Sequence, residues 1–432
     1  MRLRLPTLGR QGAWAVVDQV LSSGTNFVPA ILLARVLGPS DFGAFSLAYV
    51  AWFSVLAIIR SALMTPYTLD ASAAEGARWR DITKRAGGAI VLVGVFCGVV
   101  FAIVGLVIGT SSEVGQALLV VGILAPGLAL QEFWRVAAFA ASRARTAAAN
   151  DAYWAAGQVV AFSALLVFGN ATVVTSLFAW GAGAWLAAGL GTVQLSVRPR
   201  VDLAAVRWTR EWLGVGAYFT ATTAIFAAGS LGVAVIIAAN IGNVGVGLFR
   251  TVQTMFGPVQ LLTIGGASVF LPYLVRGIKS GADGTRESQR YSLLMTVFVT
   301  IYGVALLVTA HTLLTNVFGP TFDAAAVLVL PMLVAFALDT VASGAGLLLR
   351  ARALGGRLLV AQLIGTVARI AGVAVLVSVG GLRGAGWGLA IGSGITTAVL
   401  WAQVALSSRG DAAFPDATTL TTAHELVPAE AG

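Results

Sequence analysis

The sequence predicts an all-α integral membrane protein that crosses a lipid bilayer about twelve times, and three observations support this fold class. Hydrophobic residues make up 58% of the chain and charged residues only 10%, whereas a soluble domain carries about 25% charged residues. Apolar runs of about 20 residues, the length that spans a bilayer as a helix, recur along the chain. The basic residues fall in alternate loops, as they do in multi-pass proteins.

Twelve apolar segments are long enough to span the bilayer, and short polar turns separate them. They lie near residues 12–34, 42–65, 87–108, 116–140, 150–168, 172–196, 212–238, 247–274, 291–310, 325–349, 358–378 and 385–406. Span 1 follows a basic start but lacks a short apolar core with a cleavage site, so we expect it to be retained rather than removed as a signal peptide. Residues 407–432 are polar, which predicts a disordered cytoplasmic tail.

The basic residues predict the orientation. Of the 27 lysines and arginines, 21 fall on one side of this twelve-span scheme, two fall in loops on the other side, and four fall inside spans. Positive residues concentrate in cytoplasmic loops, so both termini are predicted to be cytoplasmic in a multi-pass protein of the cytoplasmic membrane. The net charge of +9 is spread over many short loops, which indicates topology and argues against nucleic-acid binding.

The two halves of the chain repeat a pattern. Four pairs of matching residues occur in the same order, at offsets of 204 to 207. They are the G-x4-G-x-F segments 38–45 and 242–249, Pro66-Tyr67 and Pro272-Tyr273, Pro126 and Pro331, and Arg143-Ala-Arg145 and Arg350-Ala-Arg352. The repeat predicts two six-helix bundles of parallel topology, residues 1–200 and 201–406, with a cleft between them that opens alternately to each side of the membrane.

Charged residues inside the spans are the candidate cargo-binding residues. An arginine there costs about 2.5–3.5 kcal/mol on insertion scales, so it usually faces a cavity or a partner. The set comprises the arginines Arg60, Arg135, Arg250 and Arg369 and the carboxylates Asp18, Glu132 and Asp339. The excess of arginine favours an anionic cargo, because the guanidinium fork binds phosphate oxygens bidentately and stays charged.

Several of these residues have a structural interpretation as well. Arg60 and Arg250 lie near span ends, where each side chain either lines the cleft or extends to the bilayer surface. Arg369 lies near the centre of span 11, and Asp339 is its candidate partner, either as a structural ion pair or in a substrate or coupling-ion site. Asp18, in a polar span 1, is a further candidate for cargo binding.

Glu132 and Arg135 form a pair of their own. They are three residues apart on one predicted helix face and can neutralise each other. Arg135 therefore remains a candidate for cargo binding with a competing role as the partner of Glu132.

Three short motifs resemble the Wzx-type polysaccharide flippases. Residues 34–43, ARVLGPSDFG before an apolar helix, resemble the opening of these proteins; residues 317–322, VFGPTF, are similar to their late outer loop; and residues 247–250, GLFR, match the head of one of their helices. These flippases belong to the multidrug/oligosaccharidyl-lipid/polysaccharide (MOP) exporter superfamily, with MurJ-type lipid II flippases and MATE drug exporters.

The resemblance implies a V-shaped pair of six-helix bundles around a central cavity. It also implies flipping of a polyprenyl-diphosphate-linked saccharide from the cytoplasmic leaflet, for polysaccharide biosynthesis. Glycosyltransferases or a polymerase are the implied protein partners. Span 1 contains Asp18 but no interior arginine, unlike the MurJ-type proteins, which argues against lipid II itself as the cargo.

Other function classes are less well supported. The histidines His311 and His424 and the single cysteine Cys97 form no nucleophile–base set or metal cluster with other residues, so we expect no enzyme activity, no metal and no cofactor. A polysaccharide polymerase usually has a large catalytic outer loop, and the longest outer loop here is roughly residues 311–324. A cation-coupled drug or solute antiporter remains an alternative, which essential carboxylates and dispensable arginines would favour.

Overall fold

A computed structural model shows that the protein is an all-α membrane protein. The structure describes residues 5–72, 74–352 and 354–407, without the side chains of 5–28, 69, 211–219, 264, 268, 269, 272 and 279. Within these ranges, nine helices are long and apolar enough to cross a bilayer. The predicted tail lies outside the described residues apart from Ser407.

Six α-helices make up the first half of the chain. They are α1 (Leu5–Ile59), α2 (Thr65–Ala71), α3 (Gly76–Ile108), α4 (Glu113–Ala140), α5 (Ala144–Phe168) and α6 (Val173–Leu195), with one π-helical segment, Arg60–Met64, between α1 and α2. A straight α1 would be about 80 Å long at 1.5 Å per residue. It instead breaks at Gly38, whose φ of 73° is left-handed. Ala30 and Ser46 consequently line the same cavity.

Six more α-helices make up the second half. They are α7 (Leu203–Ile241), α8 (Asn243–Met255), α9 (Gly257–Lys279), α10 (Thr285–Leu313), α11 (Val329–Ala351) and α12 (Gly355–Leu406). Helix α12 folds back on itself at Gly381, so that Gly372 packs on Gly388 and Gly365 packs on Thr396. The predicted loop 311–324 is mostly helical, because a π-helical segment, Leu314–Phe318, and a 3-10 helix, Pro320–Leu328, fill it.

The chain turns back between its long helical segments, which gives the bundle two distinct ends. The end that we call the glycine end contains six turns, each with a glycine of positive φ; these glycines are Gly38, Gly109, Gly169, Gly242, Gly319 and Gly381. The opposite end, which we call the arginine end, contains the turns that follow the helix ends at Ala71, Ala140, Leu195, Lys279 and Ala351. There Arg352 donates hydrogen bonds to Asp283 and Ser407 and so ties two of these turns to the C-terminal end of α12.

The outward faces of several helices carry exposed apolar side chains. On α3, Val99, Ile103 and Val107 follow one another at every fourth position and are 52%, 55% and 82% exposed. A soluble protein rarely exposes such a continuous apolar stripe. In a bilayer the same stripe contacts lipid acyl chains, while the helical backbone satisfies its own hydrogen bonds.

At the glycine end the two halves meet through a close contact between α1 and α8. A Cβ atom added to Gly43 would lie 1.7 Å from the carbonyl oxygen of Asn243, and one added to Gly247 would lie 2.1 Å from the carbonyl oxygen of Pro39. Only glycine allows two helix backbones to approach this closely. These two glycines, from the repeated G-x4-G-x-F segments, therefore allow α1 and α8 to pack backbone against backbone at the glycine end.

Candidate functional site

A cluster of four buried or half-buried charges lies inside the first half. Arg60 donates from Nε to Oε1 of Glu132 at 3.0 Å, and its Nη2 lies 3.0 Å from Oε2. Arg135 donates to the same carboxylate at 3.1 and 3.2 Å, and its Nε lies 3.6 Å from Asp151 Oδ2. We call Arg60, Glu132, Arg135 and Asp151 the Glu132 cluster. Its two positive and two negative charges balance.

Hydrogen bonds extend this cluster across three helices. Gln131 on α4 donates to Asp151 at 2.9 Å and to Asn150 at 3.3 Å, both on α5. Asn150 donates to the carbonyl of Ala187 at 2.8 Å and to Gln194 on α6 at 3.2 Å. Because buried polar groups are costly unless they are paired, this network fixes the orientation of the Asp151 carboxylate, which lies beside Arg135.

The side chains of the Glu132 cluster differ in exposure, so that one of its two arginines is accessible to a ligand. The side chain of Glu132 is 8% exposed and that of Arg135 is 17% exposed, whereas Arg60 is 42% exposed. Glu132 holds the guanidinium of Arg60 in place along one edge. The cluster therefore presents an oriented guanidinium at a solvent-accessible surface, an arrangement that suits binding of a carboxylate or phosphate.

Arg250 lies elsewhere, at the contact between the halves. Its guanidinium carbon is 4.9 Å from the centroid of the Tyr49 ring, a cation–π contact from α8 to α1. Tyr49 also packs on Phe53 and Trp180, with ring centroids 4.4 and 5.4 Å apart. Arg250 is half-buried against this aromatic group, so its side chain does not extend to the bilayer surface.

Arg369 and Asp339 form an ion pair between α12 and α11 in the second half. Their side chains are 21% and 35% exposed. Gly392, on the other arm of the α12 hairpin, lies against the backbone of Arg369, and an added Cβ there would be 2.5 Å from its Cα. The predicted partnership of these two residues is confirmed.

We expect Asp339→Asn to lower the unfolding temperature of the purified protein, because it leaves the charge of Arg369 without its partner. Adding Arg369→Gln should restore most of the loss, since it removes the charge that has lost its partner. Thermal unfolding in detergent measures both variants. A double variant no more stable than the single one would contradict the pairing; normal transport by the double variant would mark the pair as structural only.

The structure brings together some of the predicted residues and leaves others apart. The pairing of Glu132 with Arg135 is confirmed, and Arg60 joins them. Arg60 and Arg250 lie in different surroundings. Asp18 lies in the part of α1 whose side chains are outside the described residues.

Asp151 was missed at the sequence level, because it lies at the start of a span next to another polar residue and resembles a loop position. Within the described ranges, no group of three or more histidine, cysteine, aspartate or glutamate residues could hold a metal ion.

Comparison with known proteins identifies the fold. No protein-family model and no curated protein sequence matches the chain. The inward-facing conformation of a multidrug resistance MATE family transporter of the MOP superfamily matches with a TM-score of 0.73 at 13% identity, over 91% of this chain and 100% of that one. The lipid II flippase MurJ in an inward closed conformation matches with a TM-score of 0.75 at 10% identity, over 96% and 93%.

A third match concerns the opposite state. The outward-facing conformation of a multidrug resistance MATE family transporter gives a TM-score of 0.59 at 13% identity, over 93% of this chain and 94% of that one. The chain therefore has the fold of MOP superfamily transporters, and its described structure is more similar to the inward-facing example than to the outward-facing one.

Proposed function

We propose that this chain is a membrane transporter that moves a polyprenyl-diphosphate-linked saccharide from the cytoplasmic to the outer leaflet. The observation that carries the proposal is the half-exposed guanidinium of Arg60, oriented by the buried Glu132. A diphosphate crossing the bilayer needs such a group, because bare phosphate charges in an apolar medium are strongly disfavoured. Arginine binds phosphate oxygens through two parallel hydrogen bonds.

The architecture supports an alternating-access mechanism. In this proposal twelve helices form two six-helix bundles, residues 1–200 and 201–406, arranged as a V around a central cavity. Rocking of one bundle against the other would expose the cavity to each side in turn. The likeness to the inward-facing MATE structure, with a TM-score of 0.73 against 0.59 for the outward-facing one, supports an inward-facing state. The close contact of Gly43 with the second half supports closure at the glycine end.

Orientation follows from the basic residues. The arginine end carries most of the loop arginines, so we assign it to the cytoplasm and the glycine end to the outside. Arg60 would then lie towards the cytoplasmic side of the cleft and Arg250 towards the outside. A diphosphate on its way across would meet Arg60 first and Arg250 afterwards.

Cysteine labelling tests this orientation. In a Cys97→Ala background, cysteines at Ser112 and Thr321 should react with a membrane-impermeant maleimide added to intact cells, because they lie in glycine-end turns. Cysteines at Ser142 and Ser280 should react only after the membrane is permeabilised. Labelling of the second pair in intact cells would overturn the orientation.

Substitution of the two arginines tests the cargo. Loss of one charge-assisted contact costs about 1.5–3 kcal/mol, or roughly 10- to 150-fold in affinity at 1.4 kcal/mol per tenfold. We therefore expect Arg60→Ala and Arg250→Ala each to reduce polymer export strongly in a deletion strain that depends on this chain. Lysine in place of either arginine should restore only part of the polymer export, since lysine lacks the planar fork of the guanidinium.

The matched control is Arg383→Ala, which removes an exposed arginine from the turn region near Gly381. It should export polymer normally, and immunoblotting of membranes should show equal amounts of every variant. Normal export by both Arg60→Ala and Arg250→Ala would assign the cargo site elsewhere.

A cation-coupled antiporter of drugs or solutes is the second candidate. The ion pair of Asp339 with Arg369 favours it, because a carboxylate inside the bundle can bind a coupling cation or proton when its partner moves away. The likeness to a multidrug resistance MATE family transporter also supports it. Dispensable arginines together with an essential Asp339 would favour this function over the flippase.

A further inference from the structure

A small cavity lies at the contact between the halves, near the glycine end. Its volume is about 10 Å³, which is room for about one water molecule. The first half contributes Ser46, Tyr49 and Trp180 to its lining, and the second half contributes Arg250. The cavity is separate from the Glu132 cluster and lies further towards the glycine end.

Two polar groups on this cavity's lining lack partners. The Oγ of Ser46 and the indole Nε1 of Trp180 are both buried without a hydrogen-bond partner, and each residue is only 1% exposed. Burial of such groups without a partner is costly, so native proteins rarely leave them unpaired. The indole N–H and the guanidinium can only donate, and the serine hydroxyl can donate as well. Together they form a set of donors without a carboxylate on the cavity lining.

An aromatic wall accompanies these donors. Tyr49 packs on Phe45, Phe53 and Trp180, with ring centroids 6.0, 4.4 and 5.4 Å apart. A sugar ring has one face of C–H groups, which packs on aromatic rings, and hydroxyl oxygens around its edge, which accept hydrogen bonds. A bare phosphate gains nothing from an apolar wall.

We propose that Ser46, Tyr49 and Trp180 form a subsite for a sugar ring of the transported lipid, with Arg250 covering it in the closed state. This inference rests on the proposed flippase function. When the halves separate at the glycine end, Arg250 leaves the face of Tyr49 and a sugar ring takes its place.

The distance between the two sites fits one cargo molecule. Arg60 directly follows the last residue of α1 and is eleven positions after Tyr49, or about 16 Å at 1.5 Å per residue. A diphosphate held by Arg60 would leave its attached oligosaccharide pointing along this helix towards the cavity. The lipid diphosphate and the sugar would therefore be recognised by different residues.

Binding of two defined lipids tests the subsite. The probes are undecaprenyl diphosphate and the same lipid carrying a trisaccharide, added to the full chain in nanodiscs, with affinity measured by microscale thermophoresis. We expect Ser46→Ala and Trp180→Phe to weaken binding of the sugar-bearing lipid by up to about tenfold each, the value of one hydrogen bond. Binding of the sugar-free lipid should be unchanged.

Ser176→Ala is the matched control. Its Oγ is also buried without a partner, one helical turn before Trp180 on α6, but Ser176 does not line the cavity. Thermal unfolding verifies that each variant is folded, and Ser46→Ala removes only one oxygen atom. The subsite is overturned if the cavity variants weaken both lipids equally or weaken neither. A different result would contradict the proposed function itself: Arg60→Ala would leave the affinity for both lipids unchanged.

Discussion

Replacing Gly43 by alanine is expected to abolish transport while the protein still folds and reaches the membrane. The added Cβ would lie 1.7 Å from the carbonyl oxygen of Asn243, a backbone atom that cannot turn aside as a side chain can. Helices α1 and α8 would have to separate, so the glycine end could not close. Because alternating access requires closure on each side in turn, the variant should stay open at this end.

Spin-label distances measure this effect. Labels placed across the glycine end, one in each half, should be further apart in Gly43→Ala than in the parent protein. Gly247→Ala should act alike, since its Cβ would lie 2.1 Å from the carbonyl oxygen of Pro39. The matched control is Gly189→Ala on α6, where an added Cβ meets nothing within 4 Å. Normal transport by Gly43→Ala, with unchanged distances, would show that this contact is not the closure.

The repeated glycine segments show how far the sequence alone reaches. Their common spacing predicts that residues 38–45 and 242–249 occupy related positions in two halves. It does not predict that Gly43 and Gly247 touch, because spacing within a segment carries no information on which surface the other half covers. The contact depends on how α1 and α8 pack against each other in three dimensions.

For the charged residues too, the sequence predicts some contacts and not others. The spacing of three between Glu132 and Arg135 predicts their contact, because such residues share a helix face. Arg60 is 72 positions from Glu132, so their contact depends on how α1 and α4 pack. For Arg250 the sequence offers a basic residue near a helix end, and its aromatic partner Tyr49 resembles an ordinary core residue.

The fold class is the part that the sequence predicts best. Apolar length and the distribution of basic residues follow directly from the bilayer as a solvent. The breaks at Gly38 and Gly381 separate predicted spans. The predicted single span 247–274 is wrong, because two helices, α8 and α9, meet within it at Phe256. Cargo specificity is harder to predict, because it depends on side chains that meet from distant segments.

Replacing Glu132 by alanine is expected to cause the largest loss of stability of any single substitution in the Glu132 cluster. The buried carboxylate accepts hydrogen bonds from both Arg60 and Arg135, and its removal leaves two positive charges without their common partner. Breaking a buried ion pair from one side costs about 3–5 kcal/mol. We expect roughly the lower end of that range, because Arg60 is 42% exposed and keeps part of its hydration. Thermal unfolding of the purified protein, together with its level in membranes, measures the loss.

Two further variants show whether charge burial is the cause. Glu132→Gln keeps an amide oxygen that can accept a hydrogen bond but removes the negative charge, so its unfolding temperature should lie between those of the parent and Glu132→Ala. Asp81→Ala breaks an exposed pair with Arg85, whose atoms are 2.6 Å apart and whose side chains are about half exposed. Exposed pairs contribute about 0–1 kcal/mol, so this control should unfold close to the parent. If Glu132→Ala were as stable as Asp81→Ala, water would hydrate Arg60 and Arg135 adequately without the carboxylate, and Glu132 would not be what orients Arg60 towards the cargo.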